Sequence, residues 1–156
     1  MMAVPHEISA ARYAELMVTL PPDWRLDQKS LENEQWYWPI RMLKSLARLP
    51  HLYATWLGPG HSVPNGDPAE PYAPGTKLCG AIVVRPVTVR REFALLEVSP
   101  TKHVAFYSVV PIFSSEMRLK LDKGSDALFE LMDARKIDDV IDPQRKNVAR
   151  KWLGLF

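Results

Sequence analysis

The chain has 156 residues, with 20 Lys plus Arg against 18 Asp plus Glu, a net charge of +2 and one cysteine, Cys79. That length suits a single domain able to bury roughly two thirds of its unfolded surface, and a lone cysteine excludes a disulfide framework. So mild a charge makes no case for nucleic acid, no apolar run reaches the roughly 20 residues of a membrane-spanning helix, and without a signal-peptide pattern over residues 1–20 the expected compartment is the cytoplasm.

Arg12 to Leu20 alternates Ala14, Leu16, Val18 and Leu20 with Tyr13, Glu15, Met17 and Thr19, which predicts a strand ended by Pro21-Pro22. Asp23 to Glu34 is polar, with Trp24 expected to fold back as an anchor. Trp36 to Pro50 carries the strongest periodicity in the chain. Trp36, Ile40, Leu43 and Ala47 recur at helical spacing and Arg41, Lys44 and Arg48 mark the opposite side, so an amphipathic helix burying the first set is predicted. Pro39 fits its first turn and Pro50 its end. His51 to Leu57 is short and apolar; Tyr53, Thr55 and Trp56 favour a strand there.

Gly58 to Gly75 holds five prolines and four glycines, which predicts a long irregular loop with a turn at Asn65-Gly66-Asp67-Pro68. Such a loop is expected to be poorly ordered or pinned by His61 and Tyr72, with Asp67 to Pro74 dispensable for folding. Lys77 to Arg85, Arg91 to Val98 and His103 to Val110 read as strands, the last two joined through a hairpin turn at Ser99-Pro100-Thr101-Lys102. Pro111 to Leu121 fits helical spacing through Phe113, Met117 and Leu121, and equally fits strand alternation from Met117 to Asp122. Ser125 can cap a helix that turns Ala127, Leu128, Leu131 and Met132 inward. Asp142-Pro143 has the form of an N-cap followed by Pro, opening a basic segment with Arg145, Lys146, Arg150 and Lys151. Helices among several antiparallel-compatible strands predict an α+β fold, with helices packed on a mostly antiparallel or mixed sheet.

Chemistry is sparse. No G-x-S-x-G elbow, P-loop or G-x-G-x-x-G is present. His6, His51, His61 and His103 share no metal-ligand spacing, so neither a metal nor a cofactor is expected. His61, held in the Gly58-Pro59-Gly60 turn, is a candidate general base or structural donor. Glu116 and Asp142 are the carboxylates an enzyme could set beside it, whereas Asp138-Asp139 is expected to be a solvated pair. Arg145, Lys146, Arg150 and Lys151 with Trp152 could meet RNA or an acidic membrane, but such a cluster is more simply a solvated face.

Several of these stretches together resemble the suppressor of fused domain family: Ala14-Glu15-Leu16-Met17 with Leu20-Pro21, Tyr37-Trp38-Pro39-Ile40, Leu43 to Pro50, Gly60-His61, Phe106 with Pro111, Glu116, and Arg145-Lys146-Asn147. They follow one another in the family's order from Tyr13 to Asn147. The resemblance implies an α+β protein-binding domain without established enzymatic activity, and a helix over Pro111 to Leu121. In animals the related two-domain protein restrains Hedgehog-pathway transcription factors; single-domain bacterial members are proposed as immunity proteins that neutralise toxins. The expectation for this chain is one suppressor-of-fused-like domain over residues 1–156 that lacks the family's N-terminal strand segment. A protein partner is expected, with no nucleic acid and no membrane, and His61, Tyr72, Glu116, Asp142, Arg145 and Lys146 are the candidate binding residues. The strand over Arg12 to Leu20 would then present an open edge, on which a partner strand or a second copy could pair.

Overall fold

In the computed structural model, which describes residues 1–6 and 11–149, a mixed sheet separates two helical layers. The elements in chain order are β1 (Tyr13–Met17), α1 (Glu34–Leu52), β2 (Ser62–Pro64), β3 (Gly80–Val84), β4 (Leu95–Ser99), β5 (Lys102–Ile112), α2 (Ser114–Lys123) and α3 (Ser125–Ala134). β5 is the axis of the sheet. Along one side it pairs antiparallel with β3, and beyond β3 with β4; along the other it pairs parallel with β1, Tyr13 facing Val104. The order β1-β5-β3-β2 leaves β1 and β2 as the terminal strands.

Period-two alternation assigns the faces. Ala81 and Val109 join the cluster built by α1, whereas Ile82, Val110 and Ile112 meet Leu119 of α2 and Leu128 and Met132 of α3. The α+β class, with helices on a mixed sheet, is therefore as the sequence predicts, and α2 after Pro111 is the helix that the family resemblance implies where periodicity left helix and strand open. No helix among the described residues is long and apolar enough to cross a membrane.

Helix α1 departs from its predicted face. Asn33 caps it, its Oδ1 accepting from the Gln35 N–H at 2.9 Å, and the buried stripe is Trp38, Met42 and Leu46 with the rings of Pro39 and Pro50. Trp36 is drawn aside by Trp24, whose Nε1–H donates to the Trp36 carbonyl at 3.0 Å, and by the Arg25 guanidinium 5.4 Å from its ring. Ile40 and Leu43 are half-buried and Ala47 is exposed. Because the helix begins at Glu34 and ends at Leu52, both prolines lie inside it, and burial of their rings offsets one missing hydrogen bond apiece.

Other boundaries shift for similar tertiary reasons. His51 to Leu57 forms no strand: α1 continues to Leu52, and Ala54 turns the chain through a positive φ of 48°. Arg91–Ala94 is a 3-10 turn rather than the start of β4. Asp142 does accept a capping bond from the Gln144 N–H at 2.8 Å, yet it closes only a turn and no helix follows over 143–149. Arg150, Lys151 and Trp152 lie outside the described residues.

The Pro/Gly-rich stretch is pinned from within. β2 runs through it, Asn65 bonds both ways with Glu70, and Tyr72 and Ala73 are buried in the α1 cluster. Within Asp67 to Pro74 only Tyr72 and Ala73 belong to the core, the other six residues being exposed, and these two anchor the stretch by placing the Tyr72 ring on Trp38.

Candidate functional site

Of the six candidate residues, the structure joins Glu116 and Arg145. Glu116 sits in the first turn of α2, where its Oε2 accepts from the Phe113 N–H at 3.0 Å. Arg145 reaches it with a bidentate fork, Nη1 to Oε1 at 2.8 Å and Nη2 to Oε2 at 2.5 Å, and the Val148 N–H adds a bond to Oε1 at 3.0 Å. Four donors fill the four lone-pair sites of this carboxylate. The side chains are 0% and 6% exposed, and the guanidinium also donates to the Pro111 carbonyl at 2.9 Å and lies 4.9 Å from the Phe113 ring. The pair clamps residues 145–149 onto α2, and Glu116 has no lone pair left for a substrate proton.

Tyr72 also lies inside. Its ring stacks on Trp38 at 5.3 Å, and its carbonyl accepts from Arg41 Nη2 at 2.6 Å. Burial pushes the phenol well above its ordinary range, reinforced by Cys79 and opposed by Arg41. Among the described residues His61 forms no ion pair with either carboxylate: its backbone N–H donates to the Gly58 carbonyl, its own carbonyl accepts from the Val83 N–H, and its ring lies 4.2 Å from that of Trp56. Burial holds the imidazole below the ordinary histidine value of 6.5; the Trp56 carbonyl acts against this and the Lys120 charge adds to it.

A pH dependence follows from that direction. Below about pH 6.5 the unfolded chain takes up a proton that folded His61 resists, so stability falls with pH until the folded ring titrates as well. His61→Gln is expected to flatten this part of the profile, measured by urea unfolding between about pH 7.5 and about pH 5. An identical slope in the variant would mean that the ring titrates alike in both states.

Asp142, Arg145 and Lys146 line one open cleft of about 750 Å³. Trp24 and Trp36 form an aromatic wall there, edge to face at 5.3 Å, while Arg135, Lys136 and Lys146 are matched on the rim by Asp23, Asp138 and Asp142. Aromatic surface with mixed charge suits polypeptide contact. Among the described residues no group of three His, Cys, Asp or Glu is placed to hold a metal.

Sequence reasoning missed two features. Asp138 is exposed, but Asp139 is buried, accepting from Ser108 Oγ at 2.5 Å and from the Val87 and Thr88 N–H groups at 3.3 and 3.1 Å. It is not solvated because it ties the turn after β3 to β5. The second is the β4–β5 hairpin. Phe93, Leu95, Leu96 and Val98 are 69%, 54%, 51% and 52% exposed, although so apolar a run predicts burial. The one available signal was the company of Arg85, Arg90, Arg91 and Lys102, cations that rarely flank a buried strand without partners.

The model of the suppressor of fused protein family matches residues 1–146. Among solved structures, a Sufu-Fu complex matches with a TM-score of 0.58 at 15% identity, covering 76% of this chain and 48% of that one. Drosophila Suppressor of Fused matches at 0.57 and 17% identity, over 76% of this chain and 27% of the other. A suppressor of fused homologue from Neisseria gonorrhoeae FA 1090 matches at 0.56 and 23% identity, over 71% and 56%. The chain thus spans about half or less of the first two chains and somewhat over half of the third. No curated protein sequence matches it.

Proposed function

The chain belongs to the suppressor of fused family, and from that premise we propose that it is a protein-binding module. The observation that carries this reading is the hairpin of β4 and β5, whose strand β4 is exposed at Leu95, Leu96, Glu97 and Val98 and, among the described residues, pairs only with β5. Contiguous apolar surface around a free edge is characteristic of an interface. Exposed Arg85, Arg90, Arg91 and Lys102 outweigh Glu92 and Glu97 there, so the complementary partner surface is apolar and acidic. One relative of the same fold is seen in a complex of Sufu with Fu.

Within this reading we propose an immunity-type role, in which the partner is a toxin protein neutralised by binding, as the resemblance to the family's bacterial members implies. Terminal strand β1 offers a second place for a partner strand, or for another copy, to add. The rival reading, an enzyme using His61 with Glu116 or Asp142, has less support: Arg145 occupies Glu116, and the cleft lined by Asp142 does not include His61.

The test is Phe93→Ser combined with Leu96→Ser. Both positions are exposed, so stability should change by no more than about 0.5 kcal/mol per site. Affinity for a partner co-purified from the native host should fall roughly 30-fold or more, the loss of one interface hot spot. Unchanged affinity by titration calorimetry would remove the hairpin from the interface.

A further inference from the structure

Between the C-terminal end of α3 and the ends of β3 and β5 lies a cavity of about 360 Å³. Val84, Val110, Phe129, Met132 and Ile137 supply apolar walls. Its charged lining is Asp133, Asp138 and Asp139 against Arg85, Asp138 being shared with the cation-bearing rim of the neighbouring cleft, so that Asp133 and Asp139 are the carboxylates belonging to this cavity alone. None of these four takes part in the ion pairs formed among the described residues. Asp139 is 1% exposed and is held only by neutral donors, two backbone N–H groups and the Ser108 hydroxyl. A carboxylate taken out of water without a cation is costly, and the attraction it exerts on a cation is strengthened where water is excluded.

We propose that this cavity is a binding site for a small organic cation, an alkyl- or arylammonium compound whose apolar body fills the pocket and whose ammonium faces the Asp133, Asp138 and Asp139 side. The volume falls at the small end of ligand cavities, with space for about a dozen groups the size of a water molecule. The apolar walls take the hydrocarbon. The excess of carboxylates selects the charge, favouring ammonium over the alcohol and rejecting the carboxylate. The site does not depend on the hairpin's partner, so either proposal can fail alone.

Three probes sharing one body separate these contributions: phenylbutylamine, phenylbutanol and phenylbutyrate, titrated into the full chain at neutral pH. The protonated amine is expected to bind roughly tenfold or more tighter than the alcohol, and the carboxylate not to saturate. Backbone amide shifts on binding should centre on Val84, Val110 and Phe129. Asp133→Asn with Asp138→Asn, at two exposed positions, should narrow the gap between amine and alcohol by roughly threefold or more, Asp139 retaining the remainder, and leave the alcohol unchanged. Equal affinity of amine and alcohol, no saturable amine binding, or shifts centred elsewhere would each overturn the proposal.

Discussion

Glu116→Ala is expected to destabilise the fold by about 3–5 kcal/mol, because it leaves the Arg145 guanidinium buried without its counter-charge. The Arg145 side chain is 6% exposed and would retain only the Pro111 and Lys146 carbonyls as acceptors. The N–H groups of Phe113 and Val148 would lose their acceptor too. Domains of this kind have a total stability on the order of 5–15 kcal/mol, so urea unfolding should show a large fall in midpoint. Glu116→Leu combined with Arg145→Leu should be less damaging than Glu116→Ala alone, since no unpaired charge then remains inside. A loss below about 1 kcal/mol for the single variant would show that Arg145 finds water or another acceptor.

Trp38→Ala should cost a similar amount, about 3–5 kcal/mol, through lost apolar burial and the cavity left behind. Trp38 is 1% exposed, stacks on Tyr72 and meets the edge of Trp24 at 6.0 Å, so its removal opens the junction of α1, the irregular 58–75 stretch and residues preceding α1. Ala47→Ser, on the exposed side of the same helix, should stay within about 0.5 kcal/mol, and half-buried Leu43→Ala should fall between the two. Reversal of the order of Trp38 and Ala47 in chemical unfolding would mean that α1 is rotated from the face described.

That rotation illustrates what the chain discloses and what it withholds. The existence of α1, the β4–β5 turn and the helix after Gly124 were legible, because periodicity and punctuation are local, whereas the helix after Pro111 fitted strand alternation equally well and was favoured through the family resemblance. Which stripe of α1 faces inward was not: Trp36-Ile40-Leu43 and Trp38-Met42-Leu46 are both apolar at helical spacing, and the choice depends on Trp24 and Tyr72 arriving from distant segments. Glu116 and Arg145 stood out through a family resemblance, but their pairing joins residues far apart in sequence and changes their role from surface recognition to clamping. Asp139 reads like its neighbour Asp138 until the turn at Val87 and Thr88 closes over it. The exposure of Phe93 to Val98 was hidden for the opposite reason, since hydrophobicity alone does not tell a strand covered by its own protein from one left open for another.

The parallel pairing of β1 with β5 also constrains the order in which the protein is made. A hairpin such as β4–β5 can close as soon as its few residues have emerged, but Tyr13 cannot meet Val104 until most of the polypeptide has left the ribosome. During that interval the first strand must remain without its native ladder. Its side of the sheet therefore cannot assemble early, and chaperones have their longest opportunity to engage the nascent protein at this segment.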